Sequence, residues 1–205
     1  MRLAGSPSWR ISADRWPVSF DWALWFRACE RINVESEGVV PGPVDIDPLP
    51  DPSTDRSEAA ELAAGWLAWW QSLIALPPLS PPFDRAHRPA VLAFGPPGFP
   101  GLADWPALQR VVTRRWRQAD DWHTARMKAG LEAGPHGGAR TGQVVADLER
   151  ELGRKARPFS LDLVLLPVRD DQVRPIGPDR FLVPEGVYDG PRWPGLLRGL
   201  LIPRA

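Results

Sequence analysis

The chain alternates between stretches of helical apolar period and stretches broken by proline. From Ser19 onward Phe20, Trp22, Trp25, Phe26 and Cys29 recur at spacings of three and four, the signature of one helix face. Glu30, Arg27 and Arg31 fall mostly off that face. A second helix is predicted from Asp55, a capping residue with Glu58 three positions on, to about Leu76, where Pro77 and Pro78 stop it. Its stripe is Leu62, Trp66, Trp69, Leu73 and Leu76, widened by Trp70 and Ile74. A third starts behind Asp104 at Trp105-Pro106 and runs to about Ala129 or Leu131, burying Trp105, Leu108, Val112, Trp116 and Ala119. Thr141 is placed to cap a fourth, which carries Val144, Val145, Leu148 and Leu152 and ends at Gly153 and Pro158.

The period then changes. Phe159, Leu161, Leu163 and Leu165 alternate with Ser160 and Asp162, which is strand behaviour up to Pro167. A polar loop from Arg169 to Asp179 precedes a second short strand, Arg180 to Val183. The pair reads as an antiparallel hairpin with a long connection. A last helix, Trp193 to about Ile202, has the stripe Trp193, Leu196, Leu197, Leu200 and Leu201.

Between these elements proline rules out helix. Residues 36–53 hold five prolines and read as an extended connector lying along the core through Val39, Val40, Val44, Ile46 and Leu49. Residues 77–103 are similar, with a short strand expected at Ala90 to Phe94. Residues 1–17 read as irregular, and Gly134 to Gly142 as a loop. The expected fold is α+β and mainly helical: a single domain over 1–205, with four to five Trp-rich helices and Pro-rich connectors over 1–158. A small C-terminal hairpin and its closing helix fill 159–205.

Composition sharpens this picture in few places. Apolar residues make up 43% and charged residues 24% of 205 residues, values of an ordinary globular chain. Eleven tryptophans supply the core material. One cysteine, Cys29, excludes an internal disulfide and a thiolate metal cluster, and it points to a reducing, cytoplasmic setting. The apolar run Leu62 to Leu76 is too short and too polar to span a bilayer, and the first dozen residues lack the apolar core of a signal peptide. Net charge is zero, with −4 in residues 1–103 and +4 in 104–205. That is far from the basic footprint of a nucleic-acid binder.

Candidate chemistry is sparse. Asp170 and Asp171, in the polar loop, are paired carboxylates of the kind that binds a cation or serves as acid and base. Asp120 and His123 lie three apart on the third helix, as two metal ligands would. Arg110, Arg114 and Arg117 line one face of that helix, an arrangement open to phosphate. The glycines of Gly95 to Gly101 alternate with prolines that lack the amides a phosphate needs, and no cofactor motif occurs. What remains is apolar surface. Trp69 and Trp70 point about 100° apart on their helix, so one of them is expected at the core's edge. The stripe of Trp193, Leu196, Leu197, Leu200 and Leu201 needs a cover. The expected function is therefore an adaptor or accessory subunit that binds another protein chain or itself, without a cofactor and away from membranes. An enzyme acting through the 169–180 loop, or weak nucleic-acid binding by the arginine face, is the alternative.

Overall fold

A computed structural model describes residues 9–76, 92–134 and 138–204. It is an α+β structure in which helix dominates. The chain divides into two compact units, one made of residues 16–128 and the other of 1–15 with 129–205.

The first unit is helical and aromatic. Helix α1 (Val18–Cys29) and α2 (Ala59–Ala75) match the two stripes seen in the sequence, and α3 (Pro106–Glu132) extends beyond this unit at its last turn. Phe20, Trp22, Leu24, Trp25, Phe26 and Cys29 are all buried, because α1 is apolar around most of its circumference and such a helix has to be enclosed. Phe99, with a left-handed backbone (φ 46°), has the edges of Trp22 and Trp69 set against it at ring separations of 5.9 and 6.3 Å. The connector 36–53 is extended, as expected. Val40 and Val44 are buried, Trp70 Nε1 donates to the Val39 carbonyl at 2.9 Å, and Arg27 donates to the carbonyls of Val34 and Pro41.

Two helix starts differ from expectation. A single 3-10 turn (Arg56–Glu58) precedes α2, so Asp55 heads that turn through its carbonyl and not a capping box. At α3, which the sequence starts behind Asp104, Glu61 reaches across from α2 to accept the Ala107 N–H at 2.9 Å. Ala90 and Val91 of the expected short strand lie outside the described residues, while Leu92 and Ala93 form a helical turn.

The second unit is built on a sheet. Its strands are β1 (Trp9–Asp14), β2 (Phe159–Leu166), β3 (Arg174–Pro175) and β4 (Arg180–Pro184), in the order β1-β2-β4-β3. This corrects the expected hairpin. β2 and β4 run parallel, with Leu163 beside Phe181, and the antiparallel pair is the small one between β3 and β4. The physical reason is length. Residues 167–179 form a link of about a dozen residues, enough for a crossover to a parallel neighbour. The leading segment is corrected too: residues 9–14 are no irregular stretch but pair in parallel with β2 along their whole length.

Three helices cover one face of this sheet: α4 (Gly138–Leu152), α5 (Glu185–Tyr188) and α6 (Trp193–Leu201). They close a core of Ile11, Leu161, Leu163, Leu165, Phe181 and Val183 from the strands with Val145, Leu148, Tyr188, Trp193, Leu197 and Leu201. α4 begins three residues before Thr141. That threonine is buried inside the helix and hydrogen-bonds Tyr188. Among the described residues no helix is long and apolar enough to cross a membrane.

Candidate functional site

The charged groups of the helical unit form two buried clusters that join α1 to α3. In the first, Asp21 is fully buried (0% exposed). Its carboxylate accepts from Arg126 at 2.8 and 2.9 Å and lies 2.6 Å from His123 Nδ1. In the second, Glu30 binds Arg115 in a short ion pair and accepts from the Ser53 N–H at 2.7 Å and from the hydroxyls of Ser53 and Thr54. Arg115 also donates to the Asp51 carbonyl and lies over the Trp25 ring. Every charge here is compensated, as a buried charge must be, and removing one partner of such a pair costs about 3–5 kcal/mol. The clusters therefore act as bolts between two helices.

This arrangement reassigns His123. Its ring partner is Asp21, 102 residues away in sequence, and not Asp120 one turn before it. Among the described residues no group of three histidine, cysteine or acidic side chains could hold a metal ion. Cys29 is buried beside this layer, and burial pushes its thiol up to about 12, which removes it as a nucleophile near neutral pH. Spacing on one helix could not reveal Asp21 or Glu30. A usable signal was nevertheless present: a helix apolar all round has to find partners for the few charges it carries.

The remaining sequence candidates are occupied by their own surroundings. Arg110 pairs with Glu58, Arg114 donates to the Ser53 carbonyl at 3.2 Å, and Arg117 lies over the Trp116 ring. Asp170 accepts from Arg174 at 2.9 Å and from the Gln172 N–H at 3.0 Å, so it closes its own turn. Asp171 is exposed and pairs with Arg192 at 3.3 Å. Trp69 and Trp70 are 1% and 0% exposed. Neither offers surface to a partner, which corrects the expectation of an edge tryptophan. The reason is that neighbours enclose both flanks of α2. Phe26 and Phe99 contact the Trp69 ring, whereas Phe20 and Trp66 contact that of Trp70.

α6 is different, because only part of its stripe is used. Trp193, Leu197 and Leu201 are fully buried in the sheet unit, and Leu200 packs half-buried against the same core. Leu196 is 39% and Ile202, just past the helix, 57% exposed. At 100° per residue, Gly195 and Gly199 fall between those two on the outer face. Among the described residues, a Cβ placed on either glycine would meet no atom within 4 Å beyond its own helix turn. The outer face is thus a bare furrow of backbone with an apolar side chain on each rim. Compared with known proteins, the chain matches no family model, no curated relative and no solved structure.

Proposed function

We propose that this protein is an interaction subunit, an adaptor or accessory component of a larger cytoplasmic assembly, and that the outer face of α6 receives the partner chain. The observation that carries the proposal is the pair Gly195 and Gly199. Glycine inside a helix costs about 1 kcal/mol relative to alanine. Neither position has a positive φ, and among the described residues neither has a neighbour that a methyl group would strike. Among the described residues of the unit nothing accounts for the cost. A second helix or strand packed directly on the α6 backbone does, since a glycine furrow admits closer approach than any side chain allows. Leu196 and Ile202 supply the apolar rims that such an occupant would cover.

Size limits the strength of this contact. Nine residues of helix span roughly 14 Å, and one face of a helix about 10 Å wide then presents on the order of 150 Å², well short of the ~800 Å² per partner of a standard stable interface. A helix laid in this furrow is a modest-affinity contact, or one anchor of a larger surface. The single buried Cys29 fits the reducing setting proposed for the assembly.

A tagged chain and its Leu196→Asp/Ile202→Asp variant test this in parallel native pull-downs, with circular dichroism as the control on folding. Recovery of a protein by the wild type that the folded variant does not hold is the expected result. If the variant retains everything the wild type holds, α6 is not the contact.

A further inference from the structure

Arg27 carries a charge that no acid answers. It lies half-buried on α1, with its guanidinium over the Trp66 ring at 5.2 Å. Nη1 donates to the Pro41 carbonyl at 2.6 Å. Nη2 donates to the Val34 carbonyl at 2.8 Å and to the Ser36 hydroxyl oxygen at 3.2 Å. Every partner it has among the described residues is neutral, and burial pulls its pKa below the ordinary arginine value. Asp21, Glu30 and Arg115 in the same unit each meet an opposite charge instead. A cation drawn out of water toward carbonyls, a hydroxyl and a ring is a receptor for an anion.

Ser36 stands where that anion can be made. It is exposed, in a stretch from Asn33 to Glu37 that is neither helix nor strand, and the chain is described on both sides of it. We propose that Ser36 is a phosphorylation site and that Arg27 is the receptor for its phosphate. The donor is ATP, brought by a serine kinase that reads the acidic flank of Glu35 and Glu37. The bond from Ser36 Oγ to the γ-phosphorus forms as the bond from that phosphorus to the β–γ bridging oxygen breaks. ADP keeps the electron pair, and the hydroxyl proton passes to solvent.

The product carries about −1.5 to −2 charge and three strong acceptor oxygens. A phosphate oxygen takes over the Nη2 hydrogen that now reaches the hydroxyl, so the longest of the three Arg27 bonds becomes a charge-assisted one. Glu35 and Glu37 oppose a phosphate, but both are exposed, where water and salt screen them, whereas Arg27 is held half out of water. The same guanidinium already ties Val34 to Pro41, and Val39 between them accepts from Trp70 Nε1. Phosphate on Arg27 therefore tightens this part of the connector against the aromatic core.

The full chain, treated with MgATP and an acidophilic serine kinase shown to be active on an acidic peptide, tests both halves of the proposal. Peptide mass spectrometry should find phosphate on Ser36, and none at that position in Ser36→Ala. A folded chain that takes no phosphate at Ser36 overturns the site. Phosphorus NMR then reads the receptor without any variant. The second ionisation of the phosphoserine, about 6 when free, should lie about half a pH unit or more lower in the folded chain than in urea, because only folding sets Arg27 beside it. Arg27→Gln, with folding checked by circular dichroism, should abolish that difference. Equal ionisation in the folded and unfolded chains overturns the receptor, as does a folded Arg27→Gln chain that keeps the shift. None of these readouts involves α6, so their failure leaves its proposed role standing.

Discussion

Trp69 and Trp70 are adjacent, both fully enclosed, and unequal in one respect. Trp70 Nε1 donates to the Val39 carbonyl at 2.9 Å, whereas Trp69 Nε1 is buried without a hydrogen-bond partner among the described residues. Replacing either by phenylalanine removes ring volume from the same core, but only Trp70→Phe also strands the partly buried Val39 carbonyl. It should cost about 1 kcal/mol more than Trp69→Phe in urea unfolding. Equal losses would mean that the Val39 bond contributes nothing. Cys29 gives a second residue-scale prediction. Its thiol is raised from the ordinary 9.0 to about 12 in the folded chain. Below pH 9 both states keep the proton and pH has no effect through this group. Between 9 and 12 only the unfolded chain ionises, so stability falls by up to about 1.4 kcal/mol per pH unit. Cys29→Ala should lose stability less steeply than the wild type across that window, and parallel slopes would contradict the assignment. Single positions were the least legible scale in the sequence. Asp21 lies on, and Glu30 directly after, a helix whose apolar spacing was plain, yet their partners, Arg126 and Arg115, are 105 and 85 residues away. No local pattern encodes such a distance.

Helices were legible because amphipathic spacing is a local property. α1, α2, α3 and α6 all fall within a few residues of where their stripes place them. Strand pairing is not local. In β2, Ser160 and Asp162 suggested one wet face, but Val164 and Leu166 on that same face are buried, so only the first half of the strand alternates. Strands apolar on both faces belong to parallel sheets. That feature, read from Leu163 to Leu166, distinguishes the observed parallel β2–β4 pair from the expected hairpin. β1 escaped notice for a related reason. Trp9 to Asp14 holds two large apolar residues, Trp9 and Ile11, spaced by two among polar ones, and its strand character comes from pairing with β2. Capping shows the limit of local rules at element ends: the α3 start is satisfied by Glu61 from another helix.

At the scale of the whole molecule, eleven tryptophans and a zero net charge pointed to a packed chain without a charged ligand face. The arginines, acids and histidine suspected of chemistry are largely spent on contacts within their own units. The tryptophans suspected of binding are core. The apolar surface left over is spread over Leu49, Leu92, Leu131, Leu152 and α6, and α6 alone among these places Trp193, Leu197 and Leu201 in the sheet unit while its two glycines meet no described neighbour. The proposed role rests on that excess, and Gly195→Ala/Gly199→Ala tests it most directly when stability and partner recovery are measured on the same sample. The account predicts opposite movements: the variant unfolds at higher urea, by up to about 2 kcal/mol for the two positions, yet loses the partner because methyl groups fill the furrow. A variant that is more stable and binds as well as the wild type would show that nothing docks on α6.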